Sequence, residues 1–298
     1  MEAVPMKRFE FFEPTSLKEA TELLNRWGEK CKIVAGGTDL LIEMKEGNVA
    51  PEALIALRLI PGLSYIRKED DSVKVGAFTS HRALEKSSEV RSLFPALADA
   101  VDTLGSIQVR NIATVGGNIC NGAPSADTVP PLLVHDATLT IYGPRGERVL
   151  PLNGFFEGPG KTKLGTAEVL KEIMLPIPAG ITSSVYIKLT RRSCMELPLI
   201  GVASCVSFDP EGKILEGRIA LACAGPTCFR ATAAEALFPG RKIGERFFKD
   251  LGEAVLRESR PRDSFRCSAQ YRREMIPVLV ARSVRECYER SFKEERRS

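Results

Sequence analysis

Residues 113–127 read ATVGGNICNGAPSAD, and the paired glycines at the start of this stretch, Gly116 and Gly117, guide the interpretation of the whole chain. Glycine lacks a Cβ atom, so it permits a positive φ and a close approach to the peptide N–H groups, at an entropic cost. A second pair, Gly36-Gly37, follows the apolar run KIVA and precedes Thr38. Successive free N–H groups in such turns bind anions, above all phosphate oxygens. Two facing turns of this kind would hold a pyrophosphate, although either alone is also consistent with an ordinary tight turn.

The bulk composition predicts a globular protein of two domains. The chain has 298 residues, of which 44% are hydrophobic and 27% charged, a mixture typical of soluble proteins. The net charge of +4 is spread along the chain, and no basic stripe alternates with aromatic residues, so we expect no nucleic-acid partner. No run of 18 apolar residues predicts a membrane span, and the charged N-terminal segment lacks the apolar region of a signal peptide. We therefore expect a cytoplasmic protein.

The cysteines and histidines argue against a metal site on this chain. Eight cysteines are scattered without a CxxC pair or the spacing of an iron-sulfur cluster, and we expect most to be buried, reduced thiols. The chain has 2 histidines. His81 follows a predicted helix cap and His135 lies in an apolar run, so a structural role is expected for both. Redox chemistry would therefore need an organic cofactor or another chain.

Local patterns predict an α+β fold. Ser16 and Glu19 form a capping box before a helix that ends at Gly28, and Lys32–Ala35 is predicted to be a strand. A helix is expected over Pro95–Leu104, and a hairpin of two long strands is expected to turn at 209–212. Because strands and helices alternate irregularly, we predict α+β rather than a doubly wound sheet.

Two nucleotide-binding motifs are excluded. The segment AGGTDLL lacks the G-x-G-x-x-G spacing of a dinucleotide fold. The segment GPGKT at 158–162 imitates the end of a P-loop, but Phe155 stands where the first glycine of that motif is required.

Five segments, in order, resemble one known family. They are KIVAGGTDLL, GSIQVRNIATVGGNICNGAPSADTVPPLL, FFEGPGKTKL, IKLTRRSCMELPLIGVA and AQYRREMIPVLVARS. Together they are similar to the FAD-binding medium subunit of the molybdenum hydroxylases, which include xanthine dehydrogenase and aerobic carbon monoxide dehydrogenase, and the resemblance runs from about Phe9 to Val284. It implies a FAD-binding domain of the vanillyl-alcohol-oxidase (PCMH) type at residues 1–178, with two subdomains that divide near 56–60. A small C-terminal α+β domain would occupy residues 181–298.

The resemblance also implies a set of FAD-binding residues. The first glycine loop would contact the pyrophosphate and flank the flavin, Thr114 and Asn118 would donate to the phosphates, and Asp127 would accept from the adenosine ribose. Leu104 and Leu170 would lie near the cofactor, or otherwise belong to the core, and Lys188 would approach the ring or the phosphates, or otherwise lie on the surface. The full set is Ile33, Val34, Ala35, Gly36, Gly37, Thr38, Asp39, Leu40, Leu104, Thr114, Val115, Gly116, Gly117, Asn118, Asp127, Leu170 and Lys188.

The implied function is electron transfer within a complex. A small partner subunit would carry two-iron two-sulfur clusters and a large one the molybdenum cofactor, and electrons would reach FAD on this chain and leave to an external acceptor. Many relatives carry an aspartate and a small apolar residue where this chain has Glu196-Leu197-Pro198, which leaves open the geometry of the loop over the flavin and hence the acceptor. Two alternatives remain: a free-standing FAD oxidoreductase of the same fold, and a non-catalytic docking scaffold.

Overall fold

The computed structural model describes residues 6–192 and 195–293. The first part of the chain, up to residue 178, holds ten strands and eight α-helices, with short 3₁₀ turns at Gly28–Lys30 and Leu57–Leu59. In chain order these elements are β1 (Glu10–Phe12), α1 (Leu17–Trp27), β2 (Cys31–Val34), α2 (Leu40–Lys45), β3 (Ala53–Ala56), β4 (Ile66–Lys68), β5 (Ser72–Gly76), α3 (His81–Lys86), α4 (Ser88–Leu93), α5 (Pro95–Thr103), α6 (Ile107–Ile112), α7 (Val115–Cys120), α8 (Val129–Val134), β6 (Thr138–Gly143), β7 (Gly146–Pro151), β8 (Phe156–Gly158), β9 (Lys161–Thr162) and β10 (Val169–Pro176).

The rest of the described chain holds four strands and three helices. They are β11 (Ile181–Leu189), β12 (Ile200–Phe208), β13 (Ile214–Ala222), β14 (Phe229–Arg230), α9 (Thr232–Glu235), α10 (Glu245–Glu258) and α11 (Ala269–Lys293). The predicted turn at 209–212 is present, since the Gly212 N–H donates to the Asp209 carbonyl over 3.0 Å.

Four sheets organise these elements. A parallel sheet of order β1-β3-β2 packs against α1, and an antiparallel sheet of order β4-β5-β10-β6-β7 packs against α5, α7 and α8. Strands β8 and β9 form a small hairpin, and β11-β12-β13-β14 form an antiparallel sheet. The mixture of parallel and antiparallel sheets with helices confirms the α+β prediction.

The four-stranded sheet is buried on both faces. Small side chains on one face, such as Ala203 and Ala220, belong to the same core as α5 and α8, whereas larger ones on the other face, such as Val202 and Leu221, pack against α10 and α11. Because successive side chains of a strand point to opposite faces, this pattern attaches the C-terminal part closely to the five-stranded part.

The predicted helix after Ser16 is observed as α1. The Ser16 hydroxyl accepts from the Glu19 N–H over 3.2 Å, and the Glu19 carboxylate accepts from the Thr15 N–H over 2.8 Å. The helix ends at Gly28, whose φ of 54° is left-handed. The capping signals in the sequence therefore mark both ends of this helix correctly.

The sequence suggested an open loop at Gly116-Gly117, but the structure shows a helix there. Gly116 and Gly117 lie inside the short helix α7, which begins after Thr114. The Thr114 hydroxyl oxygen accepts from the Gly117 N–H over 3.0 Å. This N-cap bond stabilises a helical turn that the two glycines by themselves disfavour.

Candidate functional site

A cavity of about 1300 Å³ lies between the parallel sheet and the five-stranded sheet. Five segments of the chain contribute to its lining: 24–63, 77–81, 104–127, 157–170 and 195–197. Drug-sized ligands occupy pockets of roughly 300–1,000 Å³. The larger volume and the contributions from both sheets suit an extended ligand such as a dinucleotide.

Two glycine-containing segments, residues 36–39 (the first segment) and residues 112–118 (the second segment), contact each other at one wall of this cavity. A Cβ atom on Gly36 would lie 2.1 Å from the Ile112 carbonyl oxygen and 2.9 Å from the Ala113 Cα. Gly36 thus has no side chain because the chain's own backbone approaches it there. The sequence argument attributed this glycine to a ligand, and the structure corrects that reason.

The absence of a side chain at Gly116 has the same cause, a close approach of the chain's own backbone. Its N–H donates to the Ala77 carbonyl over 2.9 Å, and a Cβ atom there would lie 2.5 Å from the same oxygen. The N–H groups of Val115 and Asn118 are also bonded within the chain, to the carbonyls of Thr79 and Thr114. The second segment therefore does not offer the row of free N–H groups that was predicted.

The first segment, residues 36–39, does offer free N–H groups. Among the described residues, no hydrogen-bond acceptor is found for the backbone N–H groups of Gly36, Gly37, Thr38 and Asp39, all of which line the cavity. Gly37 has a φ of 70°, a left-handed conformation that favours glycine. Consecutive free N–H groups around such a residue form an anion-binding turn.

Side chains of the second segment still present polar groups to the cavity. The Thr114 hydroxyl accepts from Gly117, which leaves its proton available for a ligand. The Asn118 Oδ1 accepts from the Thr128 hydroxyl over 2.7 Å, so the Asn118 amide nitrogen is the atom left to donate. These two donors agree with the predicted chemistry, and their contact with phosphate remains a prediction.

Asp127 lines the cavity but is already engaged by the protein. Its carboxylate accepts from the Tyr186 hydroxyl over 2.7 Å and from the Lys188 ammonium over 2.8 Å. Burial raises the pKa of the Asp127 carboxyl, and the Lys188 charge opposes that shift. Each carboxylate oxygen has a further lone pair, so a contact with ribose remains a prediction.

Most of the predicted site residues line the cavity. They are Ile33, Ala35, Gly36, Gly37, Thr38, Asp39, Leu40, Leu104, Thr114, Gly116, Gly117, Asn118, Asp127 and Leu170. Asp39 is among them with a carboxyl whose pKa is raised by burial and by the nearby Glu43.

Three of the predicted residues are not in the lining. Val34 alternates with its strand neighbours Ile33 and Ala35, which do line the cavity. Val115, the first residue of α7, is buried in the core. Lys188 is neither in the lining nor on the surface, because its ammonium lies behind Asp127 and also donates to the Thr103 carbonyl over 3.1 Å.

The sequence argument missed several lining residues. His81 and Met195 contribute to the cavity, and so do seven residues in and after the hairpin: Glu157, Gly160, Lys161, Thr162, Leu164, Gly165 and Thr166. The site residues predicted after Asp127 were Leu170 and Lys188, of which Leu170 lines the cavity, and the Glu196-Leu197-Pro198 loop was expected over the flavin. His81 gave no signal beyond its place after a helix cap.

Glu196 lines the cavity and is bonded to residues 191 and 192. The Glu196 carboxylate accepts from the N–H groups of Arg191 and Arg192 over 2.9 and 2.8 Å, and from the Arg191 guanidinium over 2.9 Å. Burial raises the pKa of Glu196, but these donors outweigh it and hold the pKa below its usual range. Met195 and Leu197 line the cavity beside it and remain exposed.

The arrangement fits FAD. The free N–H groups of residues 36–39 suit a pyrophosphate, the volume suits a dinucleotide, and the apolar Leu104 and Leu170 suit an aromatic ring system. Within residues 6–192 and 195–293 no group of three or more metal-ligating side chains was found. None of the helices in the described part is long and apolar enough to cross a membrane.

Comparison with known proteins places the chain in a class of flavin-binding proteins. Residues 7–178 match the family model described as "FAD binding domain in molybdopterin dehydrogenase", and residues 185–287 match "CO dehydrogenase flavoprotein C-terminal domain". The chain therefore belongs to the family of FAD-binding subunits of the molybdenum hydroxylases, as the sequence resemblance indicated.

Named relatives are similar in sequence to this chain along nearly its whole length. The chain is 34% identical over 278 residues to the xanthine dehydrogenase FAD-binding subunit of Escherichia coli O157:H7, covering 93% of this chain and 94% of that one. It is 33% identical over 283 residues to the carbon monoxide dehydrogenase medium chain of Hydrogenophaga pseudoflava, covering 95% and 98%. A solved carbon monoxide dehydrogenase from that organism, lacking the Mo-pyranopterin moiety, superposes with a TM-score of 0.93 at 34% identity, covering 96% of this chain and 99% of the other.

Proposed function

We propose that this chain is the FAD-carrying electron-transfer subunit of a multi-subunit molybdenum hydroxylase. Electrons would arrive singly from iron-sulfur clusters on a small partner chain, after substrate oxidation at molybdenum on a large one. FAD supplies the chemistry of accepting electrons one at a time and releasing two together. The names of the relatives, which are subunits and medium chains of dehydrogenases, support this proposal.

The observation that carries the proposal is the cavity in which the two glycine-containing segments meet. We propose that residues 36–39 bind the pyrophosphate through their free N–H groups, with Thr114 and Asn118 donating from the facing wall. Leu104 and Leu170 would exclude water from the ring system. Tyr186 and Lys188 would hold Asp127 in place at the cavity wall rather than contact the cofactor.

We also propose the domain division at residues 1–178 and 181–298. The break between β10 and β11 supports it, because β10 belongs to the five-stranded sheet and β11 begins the four-stranded sheet. We further propose a cytoplasmic location, where thiols such as those of Cys205 and Cys287 stay reduced.

Purification of the full chain, alone and with its neighbouring gene products, tests the function. We expect a yellow protein with one FAD that associates with an iron-sulfur chain and a molybdenum chain, and whose flavin is reduced only when the reduced iron-sulfur chain is added. A colourless chain that takes up no FAD would instead indicate a scaffold. A yellow chain that oxidises a small substrate unaided would indicate a free-standing oxidoreductase.

A further inference from the structure

His81 is a buried histidine whose ring has no hydrogen-bond partner in the described part of the chain. His81 is among the residues that line the cavity, although it is only 1% exposed. The Nδ1 atom is fully enclosed and unpartnered. Nε2 has no hydrogen-bond partner among the described residues either, but unlike Nδ1 it is not fully enclosed.

The backbone fixes His81 beside the second glycine-containing segment. Residues 77–81 run alongside residues 113–116, and the His81 N–H donates to the Ala113 carbonyl over 2.9 Å. Its helix is capped by Ser80, whose hydroxyl accepts from the Ala83 N–H over 3.2 Å. The backbone of His81 is therefore held beside Ala113 at the cavity wall.

The surroundings keep this ring uncharged. Burial, together with the nearby Arg110 guanidinium, lowers the pKa of His81 to about 4. Arg110 is itself paired with Glu85 over 2.8 Å and donates to the Leu104 carbonyl over 2.8 Å, so its charge is fixed there. A neutral imidazole can donate from one ring nitrogen and accept at the other.

The chain contains a matched comparison in His135. This histidine is buried as deeply, but its Nε2 bonds to the Ser184 hydroxyl over 3.1 Å and its ring packs edge-on against Phe94. It does not line the cavity. Of the two histidines, the one without a partner is the one at the cavity wall.

We propose that His81 contacts the bound FAD and hydrogen-bonds it through a neutral imidazole. Because His81 lines the cavity and Nε2 is the ring nitrogen that is not fully enclosed, the contact is assigned to Nε2. The inference rests on the proposed function, since it takes FAD as the ligand of this cavity. It assigns a cofactor contact to a residue for which the sequence predicted only a structural role.

The test replaces His81 by leucine in the full chain and measures two quantities. We expect His81→Leu to weaken FAD binding about tenfold, as measured by flavin fluorescence titration of the FAD-depleted chain. We expect the melting temperature of the FAD-depleted variant to be unchanged or higher, because an apolar side chain removes an unsatisfied buried nitrogen. His81→Gln, whose amide can approach the position of Nε2, is expected to retain more affinity than leucine does.

His135→Leu is the matched control. It should lower the melting temperature, since it deprives Ser184 of a partner, and leave the FAD dissociation constant unchanged. The proposal is overturned if His81→Leu binds FAD like the wild type, or if it loses melting temperature as His135→Leu does. If the wild-type chain itself binds no FAD, the proposed function fails first, which separates the two results.

Discussion

At the scale of single residues, the glycines show why a sequence motif and its physical cause can differ. Gly36 and Gly116 occur where a ligand-binding motif would place them, yet the groups that approach them are the carbonyls of Ile112 and Ala77. Gly37 alone is required by its own backbone conformation, with a φ of 70°. The motif residues line the cavity because these close contacts bring residues 36–39 and 112–118 together at its wall.

A substitution at Gly36 tests this interpretation. Gly36→Ala places a methyl group 2.1 Å from the Ile112 oxygen, so the two segments must move apart. We expect a loss of about 1–3 kcal/mol in the free energy of unfolding and at least about tenfold weaker FAD binding, measured by urea denaturation and flavin titration. Gly158→Ala, where a Cβ atom meets nothing within 4 Å, should change neither. Unaltered FAD affinity in Gly36→Ala would show that the contact between Gly36 and Ile112 does not shape the FAD site.

At the scale of elements, the short helix α7 and the strand β11 hold the second wall of the cavity. Helix α7 is seated on residues 77–79 by backbone hydrogen bonds from Val115 and Gly116. Strand β11 supplies Tyr186 and Lys188, which hold Asp127. The site thus depends on a strand that lies beyond the FAD-binding family match.

The buried ion pair of Asp127 and Lys188 predicts a large stability effect. Both side chains are at most 5% exposed. Lys188→Met leaves the Asp127 charge buried without its partner, so we expect the free energy of unfolding to fall by about 3–5 kcal/mol in urea denaturation. Asp127→Asn combined with Lys188→Met should recover much of that loss.

Lys171 provides the control for this experiment. It pairs with Glu147 over 2.6 Å at the surface. We expect Lys171→Met to cost less than about 1 kcal/mol, because exposed ion pairs contribute little. If Lys188→Met lowers the free energy of unfolding no more than Lys171→Met does, the buried Asp127–Lys188 pair does not have the stabilising role expected here.

At the scale of the whole molecule, the free energy of unfolding depends on pH through His81 and His135. Burial lowers the pKa of His81 to about 4 and, with the Arg218 charge, that of His135 to about 3. Both pKa values lie below the unfolded value of about 6.5. At a pH between the folded and the unfolded pKa of each histidine, the unfolded chain therefore binds more protons than the native chain. The stabilisation is present above pH 6.5 and is lost as the pH falls toward the folded values.

We therefore expect the FAD-depleted chain to become less stable in mild acid. Between pH 6.5 and 5, each histidine should reduce the free energy of unfolding by about 1.5 kcal/mol. His81→Leu should remove one such contribution, so its stability should vary less with pH than that of the wild type. Urea denaturation at several pH values measures the difference, and identical pH profiles would show that His81 titrates normally in the native chain.

The sequence by itself determined the family, the α+β class and the ends of α1, and most of the residues that the family resemblance implied for the site do line the cavity. These features follow from local signals, such as capping residues and glycine pairs, that lie close together in the chain. Only the tertiary structure decided what each residue contacts. Gly36 meets Ile112, Lys188 lies behind Asp127, and His81 reaches the cavity because residues 77–81 run beside residues 113–116. Such contacts join distant parts of the chain, and no local pattern encodes them.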